Sequence, residues 1–263
     1  MNDQNKNILV VKVGTNTLIQ KSGSIEQLNL SVFSSIASQL QTCSAQGYDI
    51  VIVSSGAITA GMVTVGSTER ARSMVGQQRH AGIGWPKVAA AWDYAFGDKV
   101  VFSTLLTRRE LGGGQSTRHE ALGVILYALT QGDIVLVNEN DVITHEEIEF
   151  GDNDTLAATL AAEIAKQDAS SKVTLLLLTD INGLRVNKED ESSLIKIVDR
   201  IEDVAAFGED SRSNASRGGM ITKIRAATIA RESGVETYIA DGKERNVVAR
   251  ALAGEIGTHF RVQ

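Results

Sequence analysis

The chain of 263 residues is 43% hydrophobic, which is enough for one large domain with its own core. Its net charge of −6 comes from acidic and basic residues interspersed along the whole length, which excludes the basic stripe that binding to a nucleic-acid backbone requires. The N-terminus is polar, no stretch approaches the about 18 consecutive apolar residues of a membrane span, and the lone Cys43 cannot form an intrachain disulfide. We therefore expect a cytoplasmic protein with neither nucleic acid nor a membrane as a partner.

Six short runs rich in Val, Ile and Leu predict β-strands. They cover residues 8–13, 50–53, 100–106, 134–137, 173–178 and 237–240. Amphipathic segments of helix length alternate with them, at 25–46, 69–81, 87–96, 118–131, 155–166, 220–233 and 247–253. Apolar strands of this kind indicate a sheet covered on both faces, and the alternation predicts a doubly wound, largely parallel sheet in one α/β domain. Three consecutive glycines, at 112–114, predict a flexible loop over 111–117.

Polar motifs follow the first two strands, at the edge where open α/β sheets bind ligands. Lys12 could reach a phosphate group, and Gly14 lets the backbone turn tightly and present amide hydrogens to an anion. A lysine that extends into solvent from the end of a strand explains Lys12 equally well. After the second strand, Ser55, Gly56 and Ala57 could hold an anion at the start of a helix, or they could simply cap that helix.

Two acidic motifs lie further along the chain. Asn138 and Asp141 belong to a polar quartet directly after an apolar strand, where a ligand with an ammonium group would fit Asp141, although turn chemistry also explains the quartet. Asp152, Asn153 and Asp154 precede a helix, and capping explains only one of the two acids. A carboxylate here could hold two lysines around a transferring phosphoryl group, and we choose Asp154 for this role.

Two motifs of the C-terminal half indicate nucleotide contacts. Thr179 and Asp180 end the most apolar strand and could bond to a ribose or a base, or they could form a turn. The glycine-rich stretch 217–223 can approach phosphates closely, and Lys223 can point at the leaving oxygen. The sequence contains no Walker A motif and no Gly-x-Gly-x-x-Gly after the first strand, which argues against a P-loop enzyme and a dinucleotide fold.

Taken together and in this order, the motifs resemble those of the amino acid kinase family, and in particular its members that phosphorylate glutamate. The resemblance runs through residues 10–15, 55–58, 105–108, 138–141, 151–154, 218–220 and 257–260, with departures from the usual pattern at 112–124 and at Ser216-Arg217. It implies one kinase domain over 1–263: a three-layer α/β/α sandwich around a largely parallel sheet of about eight strands. The acceptor site would lie in the N-terminal half and the nucleotide site in the C-terminal half, without the C-terminal PUA-type domain of many bacterial members.

The resemblance also implies roles for individual residues. Lys12 and Lys223 match the lysines that neutralise the transferring phosphoryl group, and Asp154 matches the aspartate that orients them. The amino-acid site is matched by Ser55, Asp141 and Asn153, with Gly56, Ala57, Asn138 and Asp152 beside it. The nucleotide site is matched by Lys12, Gly14, Thr179, Asp180, Arg217, Gly218, Gly219, Met220, Ile221, Thr222 and Lys223.

The reaction implied by the resemblance is attack of the γ-carboxylate of L-glutamate on the γ-phosphorus of ATP, which gives glutamyl 5-phosphate in the first step of proline biosynthesis. Mg²⁺ would arrive with ATP and be held by phosphate oxygens and water rather than by metal ligands of the protein. The implied protein partners are further copies of the chain, as a dimer or tetramer, and glutamyl phosphate reductase.

Two alternatives remain open at this point. The same fold could act on another small anion, such as an N-acylated amino acid, carbamate or a phosphonate, because a fold does not fix a substrate. The chain could also be a non-catalytic sensor of an amino acid or a nucleotide. The presence of both lysines together with Asp154 argues against a sensor, because a sensor does not need a charge clamp at the reacting atom.

Overall fold

A computed structural model describes residues 6–22, 25–112, 115–143, 153–187, 190–204 and 219–262. Its central sheet contains β1 (Asn7–Val13), β4 (Tyr48–Ser54), β5 (Val101–Leu106), β6 (Ile134–Glu139), β7 (Lys172–Thr179), β8 (Ile197–Val198), β9 (Glu236–Asp241) and β10 (Thr258–Phe260). The strand order is β5-β6-β4-β1-β7-β9-β10-β8, and all pairs are parallel except β9 with β10. A separate hairpin consists of β2 (Ile19–Ser22) and β3 (Ile25–Leu28).

Helices cover both faces of this sheet. Within the described ranges they are α1 (Thr15–Leu18), α2 (Leu30–Ala45), α3 (Ala57–Thr64), α4 (Met74–Phe96), α5 (Arg108–Gly112), α6 (Gln115–Thr130), α7 (Asn153–Gln167), α8 (Met220–Arg231) and α9 (Val247–Leu252). None of the helices in the described part of the chain combines the length and the apolar composition of a membrane span.

The alternation of side chains along β1 shows how the layers form. Ile8 and Val10 pack in the apolar cluster that contains residues of α6, α7 and α8, whereas Leu9, Val11 and Val13 pack with α2, α4 and α9 on the other face. The predicted three-layer α/β/α sandwich with a largely parallel sheet of eight strands is therefore confirmed. By the same alternation, position 12 faces α7 and α8.

Three predicted helices in the first half of the chain are wrong in their bounds. The helix predicted over 25–46 begins only at Leu30, because 25–28 pairs with β2, where the ammonium of Lys21 lies 2.7 Å from the Glu26 carboxylate. The helices predicted at 69–81 and 87–96 are one helix, α4, with Pro86 inside it. Pairing with β2 decides the first case and packing against α3 decides the second, so the helical pattern within each segment was insufficient.

Close packing against α3 explains why α4 continues through a proline, which normally weakens a helix interior. A Cβ at Gly84 would lie 1.8 Å from the carbonyl oxygen of Ala57, and one at Gly61 would lie 1.9 Å from that of His80. The backbones of the two helices therefore touch at the glycines, and this contact holds α4 on both sides of Pro86.

The remaining differences concern short elements. The strand pattern missed β2, β8 and β10, and the helix pattern missed α1 and α5. Helices occupy most of the loop predicted at 111–117, whose residues 113–114 lie outside the described ranges. These elements are too short for a periodic signal.

Candidate active site

Three charged side chains from three separate elements meet at the carboxyl edge of the sheet. Lys12 Nζ lies 2.7 Å from Asp154 Oδ1, and Lys223 Nζ lies 3.3 Å from Asp154 Oδ2. The exposed fractions of the side chains of Lys12, Asp154 and Lys223 are 10%, 4% and 6%. One carboxylate therefore holds two buried ammonium groups, which it can present together to a polyanionic ligand.

The fold places each member of this cluster for a local reason. Lys12 is on the face of β1 that α7 and α8 cover, and Asp154 lies in the first turn of α7. Lys223 lies early in α8, one residue after Thr222, whose hydroxyl donates to Asp154 Oδ2 at 2.8 Å. The amino-terminal ends of two helices thus point at the same carboxylate edge, where their dipoles favour anions.

Electrostatics keep Asp154 ionised. Burial by itself would raise the pKa of this carboxyl group, but the charges of Lys12 and Lys223 and the hydrogen bonds from Lys12 and Thr222 together hold it well below its ordinary value. The cluster therefore carries a net charge of about +1 at neutral pH, which suits a site for phosphate.

Asn153, the neighbour of Asp154, connects the ends of two strands to α7. Its Nδ2 donates to Ser55 Oγ and to Asn138 Oδ1, both at 3.0 Å, and its Oδ1 accepts from the backbone amide of Glu139 at 3.2 Å. Three residues predicted for the amino-acid site, Ser55, Asn138 and Asn153, are therefore brought together. They lie directly beside the charge cluster because Asn153 and Asp154 are consecutive.

Gly56 and Ala57 form the turn from β4 into α3. Gly56 is the N-cap of α3 and adopts the left-handed conformation, with φ 105°, which favours glycine. Ala57 is buried, and its carbonyl oxygen faces Gly84 of α4. Behind the turn, Trp92 Nε1 donates to Ser54 Oγ at 2.8 Å, so α4 holds this end of β4 in place.

Asp141 lies two residues after β6 and is buried. Burial raises its pKa to about 6, although the charge of Arg70 lowers it. A carboxylate that is ionised at neutral pH in spite of burial attracts a cationic ligand, so the side chain is suited to an ammonium group.

The residues predicted for the nucleotide lie at the end of β7 on the other side of the charge cluster. Thr179 is buried, and its hydroxyl donates to Asp180 Oδ1 at 3.1 Å. The charge of Lys223 acts on Asp180, which places Asp180 near the cluster. At the end of β1, the amide of Gly14 donates to the Leu178 carbonyl oxygen at 2.9 Å. The amide of Gly14 itself is therefore used by the fold, and the expectation that the turn after β1 presents amide hydrogens to an anion stays a prediction for the residues that follow Gly14.

Gly14 also lies close to the cluster. A Cβ at this position would lie 3.6 Å from Lys12 Nζ and 3.3 Å from the Leu178 carbonyl oxygen. The contact with the carbonyl oxygen would be tight and the contact with the ammonium group an ordinary van der Waals contact, so a glycine fits best where β1 and β7 end side by side.

Of the glycine-rich stretch, the described residues begin at Gly219, the N-cap of α8. Met220 packs on the core, Ile221 is exposed, and Thr222 is buried at the cluster. Asp152, Arg217 and Gly218 lie outside the described residues, so their predicted roles remain predictions.

Sequence reasoning missed several polar residues of this region. Asn16 Nδ2 donates to Asp180 Oδ2 at 2.7 Å, Thr17 is buried below it, and Glu139 is a buried carboxylate at the end of β6. Glu139 stood inside the polar quartet and could have been found there. Nothing in the sequence around Asn16 indicates a role for it, because its partner Asp180 follows β7, 164 residues further along the chain.

The model of the amino acid kinase family matches residues 7–241. The chain belongs to the amino acid kinase family. Two curated relatives agree with this assignment. Glutamate 5-kinase of Caldanaerobacter subterraneus is 37% identical over 262 residues, which cover 96% of this chain and 67% of the relative. Glutamate 5-kinase of Nostoc punctiforme is 36% identical over 265 residues, with 97% and 69% covered.

Solved structures show the same amino acid kinase fold. Carbamate kinase from Giardia lamblia, bound to AMP-PNP, superimposes with a TM-score of 0.65 at 18% identity and covers 100% of both chains. UMP kinase from Ureaplasma parvum gives a TM-score of 0.59 at 13% identity and covers 98% of this chain and 100% of the kinase. At these low sequence identities the structural similarity supports only the fold. Membership of the family rests on the match of the family model to residues 7–241.

Two ammonium groups contact the central carboxylate in this family member, and their positive charge disfavours a metal cation at Asp154. Among the described residues, no three His, Cys, Asp or Glu side chains converge as metal ligands. This donor set fits a divalent cation that enters with its nucleotide and keeps phosphate and water as ligands.

Proposed function

We propose that this chain transfers the γ-phosphoryl group of ATP to the γ-carboxylate of L-glutamate and so forms L-glutamyl 5-phosphate. The chain is an ATP-dependent carboxylate kinase, because it belongs to the amino acid kinase family and its sequence is similar to those of glutamate 5-kinases. The identity of the acceptor and the residue roles below are our proposal. We also propose that the protein is cytoplasmic, that it associates with further copies of itself and that it catalyses the first step of proline biosynthesis. Its product would then be delivered to glutamyl phosphate reductase.

The observation that carries the reaction type is the contact of Lys12 and Lys223 with one carboxylate, Asp154. Phosphoryl transfer requires positioning and neutralisation of charge more than covalent chemistry. Lys12 would stabilise charge on the transferring group, and Lys223 would stabilise charge that develops on the leaving oxygen. Asp154 holds both ammonium groups at fixed positions, so they need not reorganise during the reaction.

The nucleophile requires no general base, because a carboxylate is already ionised at neutral pH. This agrees with the groups that converge on Asp154, which are two ammonium groups and one hydroxyl. The residues of the site would bind and orient the acceptor rather than remove a proton from it.

The acceptor would lie between Asp141 and the amide network of Asn153. Asp141 would receive the substrate ammonium group, while Ser55, with Gly56 and Ala57 behind it, would orient the carboxylate end. Asn138 and Asp152 would complete this side. Because Asn153 precedes Asp154, an acceptor held here has its reacting carboxylate next to the lysines.

The nucleotide would lie over the ends of β7 and α8. Thr179 and Asp180 would contact the ribose or base, and the stretch from Arg217 through Gly218, Gly219, Met220, Ile221 and Thr222 to Lys223 would surround the phosphates, with Gly14 leaving space beside them. Mg²⁺ would arrive as part of this substrate and would supply further positive charge at the phosphates.

A coupled ADP-release assay with hydroxylamine trapping tests the proposal. Glutamate, aspartate, N-acetylglutamate and carbamate would be offered in parallel with ATP and Mg²⁺. We expect hydroxamate from glutamate alone. Hydroxamate from another acceptor only would refute the proposed substrate, and ATP binding without any turnover would favour a sensor.

A further inference from the structure

The turn after β1 holds the end of β7 through two neighbouring side chains. Asn16 Nδ2 donates to Asp180 Oδ2 at 2.7 Å, and Thr17 Oγ1 donates to the carbonyl oxygen of Thr179 at 3.1 Å. We propose that Asn16 is a positioning residue for nucleotide binding, which fixes the Asp180 carboxylate in the orientation that a ribose or base donor meets. This inference rests on the proposed function, because it takes Asp180 as part of the nucleotide site.

The main chain beneath Asp180 is already rigid. The Thr179 carbonyl oxygen accepts from Thr17 and also from the amide of Gly242 at 2.8 Å. Thr17 is fully buried, and a Cβ at Gly242 would lie 2.5 Å from its Cγ2. Since the backbone is fixed from two sides, the remaining freedom at this position is the rotation of the Asp180 side chain.

Asn16 removes that freedom and leaves the carboxylate able to bind. The Thr179 hydroxyl occupies one acceptor position on Oδ1, and the Asn16 amide occupies one on Oδ2. An ionised carboxylate offers about four such positions, so one remains for a ligand even when the backbone amide of Asp180 itself also donates to the group. Partial burial favours the neutral acid, but the hydrogen bonds from Asn16 and Thr179 and the charge of Lys223 lower the pKa of Asp180. The group is therefore a charged acceptor.

The fold has little need of this hydrogen bond. Asn16 and Asp180 are both exposed, and a hydrogen bond between exposed groups adds little net stability because water replaces it. Without Asn16, the nucleotide itself would have to immobilise the Asp180 side chain, and this cost would appear as lower affinity. Loss of nucleotide affinity without loss of stability is therefore the signature of a positioning role.

The test compares Asn16→Ala with Gln131→Ala. Gln131 is a matched control, because it is an exposed amide that donates to Thr130 Oγ1 at 3.2 Å before β6, at the opposite edge of the sheet. Isothermal titration with ATP and Mg²⁺, without an acceptor, should show a Kd about five- to tenfold higher for Asn16→Ala and unchanged for Gln131→Ala. The KM for ATP should rise in parallel, while kcat and the KM for glutamate stay within about twofold and both variants keep the wild-type Tm.

A double-mutant cycle separates positioning from direct contact. If Asn16 acts through Asp180, adding Asn16→Ala to Asp180→Ala should cause no further loss of ATP affinity. Additive losses would mean that Asn16 contacts the nucleotide directly. A wild-type Kd for Asn16→Ala would mean that Asn16 neither positions Asp180 nor contacts the nucleotide. Either result would overturn the inference. A fall in Tm as large as that in affinity would assign Asn16 a structural role instead.

The outcome can be told apart from failure of the proposed function. A wild-type chain that binds ATP but forms no hydroxamate from glutamate would refute the acceptor and leave the Asn16 comparison decisive. A wild-type chain without affinity for ATP would overturn both proposals.

Discussion

Asn153 and Asp154 are consecutive residues whose side chains serve two different networks. The Asn153 amide joins Ser55 and Asn138 at the ends of β4 and β6, and the Asp154 carboxylate holds the ammonium groups of two lysines. Since both residues lie at the start of α7, any shift of this helix moves the proposed acceptor site and the proposed phosphoryl site together. Because each side chain serves its own network, the substitutions below should have separable effects on the two sites.

Replacement of Lys223 by Met should impair the chemical step. Methionine keeps the volume but removes the charge proposed for the leaving oxygen, so kcat should fall about 100- to 1,000-fold with only a modest change in ATP affinity. Steady-state kinetics would check this against Lys172→Met, an exposed lysine at the start of β7 on the opposite edge. Turnover near that of the control would remove Lys223 from the mechanism.

Asp154→Asn should lose stability as well as activity. Two buried ammonium groups would remain without their counter-charge, and breaking a buried ion pair costs about 3–5 kcal/mol. Because the folded pKa is lowered, the contribution of Asp154 is present above its ordinary value of 3.8 and is lost as the pH falls toward the folded pKa.

Urea unfolding at several pH values tests this prediction. The difference from the wild type should be full at pH 7 and should shrink below about pH 4. Asp93→Asn, an exposed substitution on α4, is the control. An active Asp154→Asn variant with only a lower Tm would show that the residue merely caps its helix.

Protonation of Asp141 should raise the KM for glutamate at acidic pH. Its folded pKa is raised to about 6, so the group is neutral below that pH and can no longer pair with a substrate ammonium. The KM for glutamate should rise as the pH falls through about 6, while the KM for ATP should not follow. Asp141→Asn should remove this dependence and raise the glutamate KM about 10- to 100-fold.

The same substitution should stabilise the fold at neutral pH. A raised pKa means that the stabilising contribution of the neutral acid exists below the ordinary value of 3.8 and is lost as the pH rises through about 6. The stability advantage of the asparagine variant over the wild type should therefore grow between these two pH values and remain at its maximum at pH 7, as measured by urea unfolding. Asp98→Asn, in an exposed turn, is the control and should show no such gain in stability. If Asp141→Asn changed the KM for glutamate and the KM for ATP equally, the acceptor role would be contradicted.

Two glycines in different helices should respond in opposite ways to alanine. At Gly84 the new Cβ would lie 1.8 Å from the Ala57 carbonyl oxygen, so Gly84→Ala should separate α3 from α4 and destabilise the fold by about 2–3 kcal/mol. At Gly123, on the exposed side of α6, nothing lies within 4 Å, and Gly123→Ala should stabilise by about 0.5–1 kcal/mol. Denaturant unfolding of the two variants would refute the close helix contact if both moved in the same direction.

The sequence by itself determined the features that depend on neighbouring residues. Apolar runs placed β1 and β7, helical periodicity placed α7, and polar residues at strand ends and at a helix start marked Lys12, Thr179 and Asp154 as members of a site. Because parallel strands end at one edge, these motifs had to come near one another. Each of these signals depends on residue types at neighbouring positions, so the sequence alone is enough to detect it.

Only the tertiary structure decided the features that depend on contacts between distant segments. Pairing with β2 made a strand of 25–28, backbone contact with α3 kept α4 continuous through Pro86, and a bond to Leu178 occupied the amide of Gly14. The attachment of Asn16 to Asp180 is of the same kind. In each case the contact joins residues of two different elements, so neither partner carries a recognisable signal alone.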